Sequence, residues 1–156
     1  MKIETITEPN ETIFGIQRKY FNALKALFPD LTVELIGGMS VPMMGRPELD
    51  LMVISDDFEN DSKKVAGMGF KQGPIEPGKA SYLKKIEDGV DVTVQILHPS
   101  NPMIDRHRKI LAILKSNHEL RKQYEEFKKT LAGLEKQEYR AKKKEWLKKY
   151  MDPILG

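Results

Sequence analysis

Three carboxylates and a glycine turn are the residues of this 156-residue chain with the types and spacing to do chemistry. An apolar run ends at Leu35-Ile36-Gly37-Gly38-Met39-Ser40, and a second begins at Glu48-Leu49-Asp50-Leu51-Met52-Val53. Alternate strand residues point to one face, so Glu48 and Asp50 should lie side by side. Asp91 opens a further alternating run, Val90-Asp91-Val92-Thr93-Val94, and reaches the same place if that strand lies beside 48–55. Carboxylates so grouped suit a divalent cation, with Glu48, Asp50 and Asp91 as the expected metal ligands. Two such ions stabilise the attacking and leaving oxygens of an in-line phosphoryl or nucleotidyl displacement, and the third carboxylate, Asp91, can instead take the proton of the attacking hydroxyl, so Asp50 and Asp91 are the expected catalytic residues. Gly37 and Gly38 let backbone N–H groups approach a phosphate, Ser40 adds a hydroxyl, and Arg46 offers a guanidinium. Each piece also has a plain structural reading: a turn, solvated charge, and a polar hairpin end.

The elements that must position these groups are legible as an α+β pattern. Ile13, Ile16, Tyr20, Leu24 and Leu27 recur at helical spacing and predict a helix over 9–28, stopped by Pro29-Asp30. Residues 31–36 and 48–55 read as strands joined by a loop over 37–47, and 56–68 reads as a helix. Two prolines and two glycines predict a loop over 70–78. Residues 80–87 and 90–97 flank Asp88-Gly89, a strong hairpin signal. Beyond Pro102 three helices are expected, over 102–116, 118–134 and 136–151. The whole is read as one domain over 1–156, with an α+β part (1–101) and a helical part (102–156).

Composition narrows the classes further. Hydrophobic residues make up 40% and charged residues 31%, as in globular proteins, and the absence of cysteine rules out disulfides and thiolate metal sites. His98, His107 and His118 do not share a helix face at i, i+4, which argues against a histidine zinc site. The start of the chain shows no apolar signal core and no run has membrane length, so a cytoplasmic protein without membrane contact is expected. The net charge is +3, but residues 102–156 hold 15 basic against 8 acidic side chains. That surface reads either as polyanion-facing or, with more weight, as lysine-rich solvated helices, so nucleic acid is not favoured as a partner. Trp146 among lysines either stacks on a base or anchors the last helix. The methionines at 39, 43, 44 and 52 read as soft packing ahead of an adaptable ligand wall.

The order of glycine turn, carboxylate pair and later strand carboxylate resembles the nucleotidyltransferase superfamily with the polymerase-beta-like fold. More closely, Glu34, Gly37, Val41-Pro42, Arg46-Pro47, Asp50 and Val53 resemble the GrpB family motif E-H-V-G-S-T-A-V-P-G-L-x-x-K-P-x-I-D-I-x-V. Asn117-His118-Glu119-Leu120 through Tyr124 and Lys128 is similar to that family's H-P-E-L-x-x-x-Y-x-x-L-K, and Tyr139-Arg140-Ala141-Lys142 to the first four positions of its Y-x-x-x-K helix. The chain departs from the family at Leu35 and Asp91-Val92-Thr93-Val94, where relatives carry histidines. It departs also at Gly38, where they carry serine, and at Glu48, where they are often aliphatic. The resemblance implies a small mixed sheet of the nucleotidyltransferase type with packed helices and a C-terminal helical group. It implies nucleotide binding with Mg²⁺ and nucleotidyl transfer to a small hydroxyl or amine acceptor. Relatives also occur fused to dephospho-CoA kinases with an attributed folding-accessory role, so the alternative is a catalytically inactive binding or accessory domain.

Overall fold

Asn10 starts the first helix: its side chain accepts a hydrogen bond from the Ile13 backbone N–H at 3.0 Å. In the computed structural model, which describes residues 5–37, 41 and 43–155, helix α1 therefore spans Glu11–Leu27. Its apolar stripe, Ile13, Ile16, Tyr20 and Leu24, is buried. Then follow β1 (Thr32–Ile36), β2 (Glu48–Ile54), α2 (Phe58–Ala66), β3 (Lys71–Glu76), β4 (Ala80–Glu87) and β5 (Val90–Leu97). Helices α3 (Met103–Ser116), α4 (His118–Lys129), α5 (Lys136–Tyr150) and the short α6 (Asp152–Leu155) complete the chain.

The strands form one mixed sheet in the order β1-β2-β5-β4-β3, with β2 and β5 parallel and the other pairs antiparallel. Alternation sorts its two faces. Leu49, Leu51, Val53, Val92, Val94 and Ile96 join the stripe of α1 and residues of α2 in the main core. Ile36, Met52, Ala80 and Leu97 face the other way and meet Ile104 of α3. The helical group has its own core of Leu114, Leu120, Tyr124, Trp146 and Met151, into which the loop residues Val41 and Met43 insert. Fully burying one such large apolar side chain contributes roughly 1.5–3 kcal/mol, so Val41 and Met43 bind the loop firmly to the helical group.

Asp88 and Gly89, at φ 50° and 77°, make the tight turn between β4 and β5 that their dipeptide predicts. Residues 70–78 differ from the sequence reading: 71–76 form a strand, not a loop. β3 lies at the sheet edge, where proline is tolerated, and its register slips between Gln72 and Ile75 around Gly73 and Pro74. A Cβ on Gly73 would lie 2.9 Å from the Tyr82 carbonyl oxygen, which explains the glycine. Helix α4 ends earlier than predicted, at Lys129, and the last residues add α6. Among the described residues no helix is long and apolar enough to cross a membrane.

Candidate functional site

The parallel register of β2 and β5 sets Glu48 beside Asp91 and Asp50 beside Thr93. Their neighbours Leu49 and Val92 point into the main core, so the carboxylates lie on the face turned toward the C-terminal helices. The sequence expectation that acidic groups from two segments meet on one face describes the geometry. What lies between them was not expected. Arg46, with a side chain only 3% exposed, donates from Nη1 to Asp91 Oδ2 at 2.5 Å, and its Nη2 lies 3.1 Å from Glu48 Oε2. Lys143 of α5 donates to Glu48 Oε1 at 3.2 Å. The guanidinium read from sequence as a phosphate ligand is thus engaged by two carboxylates.

The backbone fixes this arrangement from several sides. Thr7 and Gly45 exchange backbone hydrogen bonds at 2.8 and 3.0 Å, and the Met44 N–H donates to Glu125 of α4. The Glu48 N–H donates to the Arg46 carbonyl at 2.7 Å, and the Asp91 N–H to the Pro47 carbonyl at 3.0 Å. The short loop that carries Arg46 is therefore tied to the N-terminal segment, to α4 and to both strands. Gly37 closes the floor. It sits at φ +79°, and a Cβ there would lie 2.6 Å from Asp50 Oδ2, so only glycine lets the turn and the carboxyl come this close. Gly38 and Ser40, the other expected phosphate ligands, lie outside the described residues.

The charges act strongly on one another. Burial opposes ionisation of Glu48, but Lys143 and Arg46 together outweigh it and hold its carboxyl below the ordinary value. Asp50 goes the other way: burial, then the adjacent Glu48, pushes it up to about 7. Lys143 is held charged: burial opposes its ionisation, but Tyr124, Glu48 and Tyr139 around it prevail. Lys128, 2% exposed and 4.5 Å from the Tyr124 ring centre, is lowered to about 7 by burial and then by Lys143.

A cleft of about 390 Å³ opens beside this floor, between the Gly37 turn, α3 and α5. Arg106, His107, Arg140, Lys143 and Lys144 line it, along with an apolar wall of Ile110, Leu111, Leu114 and Leu147. Burial, then Arg106, lowers His107 below its usual value and disfavours its charged form. The cleft is still strongly cationic. As arranged, the carboxylate face fits a divalent ion poorly: Arg46 and Lys143 nitrogens occupy both oxygens of Glu48 and Oδ2 of Asp91. Among the described residues no three histidine or carboxylate side chains are grouped to hold a metal.

Sequence reading missed the α5 cations, although a signal was present. The residue four positions after Tyr139 is Lys143, which shares a helix face with buried Tyr139 and half-buried Leu147. A lysine on an otherwise apolar stripe needs a partner, and Glu48 is that partner. Trp146 anchors α5: it is 9% exposed and stacks on Tyr124 and Phe127 at 4.8 and 5.7 Å between ring centres. Met43 and Met52 are buried packing residues, Met44 is half-buried, and Met39 lies outside the described residues.

Comparison with known proteins fits this architecture. The family described as GrpB protein matches residues 5–153. A UPF0157 protein of Vibrio cholerae is 28% identical over 142 residues, covering 88% of this chain and 74% of that protein. The crystal structure of the conserved protein GrpB from Enterococcus faecalis superposes with a TM-score of 0.71 at 24% identity, covering 94% of this chain and 99% of that one. Cid1 in complex with the UTP analogue UMPNPP superposes with a TM-score of 0.55 at 15% identity, covering 76% of this chain and 39% of that one. The chain belongs to the GrpB family and has a nucleotidyltransferase-like fold.

Proposed function

We propose that this GrpB-family chain is a nucleotide-binding domain that holds the phosphates of its ligand on Arg106, Arg140, Lys143 and Lys144. The single observation that carries the reading is the juxtaposition, in one cleft, of these cations with the Gly37 turn and an apolar wall. Guanidinium and ammonium groups bind phosphate by charge-assisted hydrogen bonds, and the apolar side suits the faces of a base. The fold likeness to Cid1, solved with a UTP analogue, supports the choice of nucleotide over other anions. Calorimetric titration with UTP and ATP in EDTA tests it. Saturable binding is expected, weakened at least about tenfold, or about 1.4 kcal/mol, by Arg140→Met with Lys144→Met. Both side chains are exposed, so their loss should spare the fold. Absence of heat with either nucleotide, or equal affinity in the variant, would remove the reading.

A second reading is Mg²⁺-dependent nucleotidyl transfer to a small hydroxyl or amine acceptor. It is favoured by Glu48, Asp50 and Asp91 sharing one face of two adjacent strands. It requires Arg46 to release Asp91 and Glu48, and Lys143 to release Glu48. Incubation with α-labelled UTP, Mg²⁺ and small hydroxyl and amine acceptors would then join the labelled uridylyl group to an acceptor and release pyrophosphate in the wild type and not in Asp50→Asn.

A further inference from the structure

We infer that Arg46 and Lys143 stand in for a metal ion on this face, so that the cleft takes up phosphate without a divalent cation. The inference rests on the phosphate-binding reading above but concerns a separate question, what neutralises the acidic floor. The positions themselves argue for it. A divalent ion shared by Glu48 and Asp91 would approach the oxygens Oε2 and Oδ2, and these are the atoms beside the two Nη atoms of Arg46. Magnesium needs oxygen ligands at about 2.0–2.1 Å in octahedral array, so it and the guanidinium cannot occupy the same gap. The other side of Glu48 is taken by Lys143 Nζ.

Arg46 is poorly placed to move aside. Its side chain is 3% exposed, and its loop is held by the Thr7–Gly45 bridge and the bond from Glu48 N–H to its own carbonyl. Two carboxylates, Glu48 and Asp91, meet two fixed cations, and Lys84 and Arg140 add positive charge nearby. A floor so balanced gives little attraction to a second cation, while Arg140 and Lys144, for which no carboxylate partner is seen among the described residues, still attract an anion to the cleft, beside Arg106, which pairs with Asp152 at 2.9 Å. Lys143 belongs to both groups. It bonds Glu48 and lines the cleft, so the internal cation also faces the ligand.

Manganese titration followed by electron paramagnetic resonance decides the metal question directly. The wild type should take up no more Mn²⁺ than Asp91→Asn, and Arg46→Met/Lys143→Met should gain one saturable site. A saturable wild-type site that Asp91→Asn abolishes would overturn the inference, and this comparison stands even if the double variant does not fold. Pyrophosphate titrated by calorimetry gives a second readout: saturable binding in EDTA is expected, and binding only after Mg²⁺ is added would overturn the metal-free account. If pyrophosphate binds in neither condition, the phosphate site itself is refuted, a failure that the Mn²⁺ comparison keeps distinct.

Discussion

Replacing Arg46 with methionine should cost this protein a large part of its stability, by an amount that depends on pH. The side chain is 3% exposed and serves Asp91 and Glu48, whose own side chains are 15% and 22% exposed. Removing one partner of a buried ion pair typically costs about 3–5 kcal/mol, because the other charge stays behind without its counter-ion. Here the lower end applies, about 3 kcal/mol, since Lys143 still serves Glu48 and both carboxylates reach some water. For a chain of this size each kcal/mol moves the melting temperature by about 2–4 °C, so Arg46→Met should melt about 6–12 °C lower at pH 7. Lys143 and Arg46 hold Glu48 below its ordinary value, so its contribution is complete above that value and fades as pH falls through the folded-state one. The gap between wild type and variant should therefore narrow in acid. Thermal melts by circular dichroism at pH 7 and pH 4 measure it. A double variant with Asp91→Asn should be less destabilised than the sum of the two single changes, since the carboxylate left unpaired is gone. A melting loss under about 2 °C at pH 7, or strict additivity in the cycle, would refute the reasoning.

Other perturbations follow from the same geometry. Gly37→Ala should lower stability by about 1–2 kcal/mol from its left-handed backbone alone, and more from the contact with Asp50; chemical denaturation checks this, and Asp50→Ala should relieve only the second part. Because burial and Glu48 push Asp50 up to about 7, the folded state holds a proton there that the unfolded chain has lost. Stability from this group is thus complete below the ordinary aspartate value and declines as pH rises toward 7. Asp50→Asn should flatten that decline and melt higher than wild type at pH 8. Lys128 is the reverse case, lowered to about 7 by burial and Lys143: the folded state disfavours its charge, so stability from this group rises with pH above 7. Lys128→Met should therefore raise the melting temperature at pH 6, with the gain shrinking toward pH 10.

The frame of the site was legible in the chain because it is written in local periodicity. The alternation of 48–54 and 90–97 set Glu48, Asp50 and Asp91 on matching faces, and Asp88-Gly89 fixed the hairpin that brings β5 back along β4. β3 was not legible, because Gly73 and Pro74 break a strand pattern everywhere except at an edge with a slipped register. The pairing of charges was not legible either. Arg46 stands two residues from Glu48 but 45 from Asp91, and Lys143 lies 95 residues from Glu48. Only the packing of α5 over the sheet shows which cation meets which carboxylate. Sequence spacing therefore put the acidic residues on one sheet face, as the register shows, but left open what neutralises them.

The most direct test is a crystal structure grown with UTP and Mg²⁺ together. The triphosphate is expected among Arg140, Lys143 and Lys144, with Arg46 still bonded to Asp91. A cation lodged between Glu48 and Asp91, with the Arg46 side chain displaced, would contradict the metal-free cleft, and nucleotide seated elsewhere on the molecule would contradict the cleft itself.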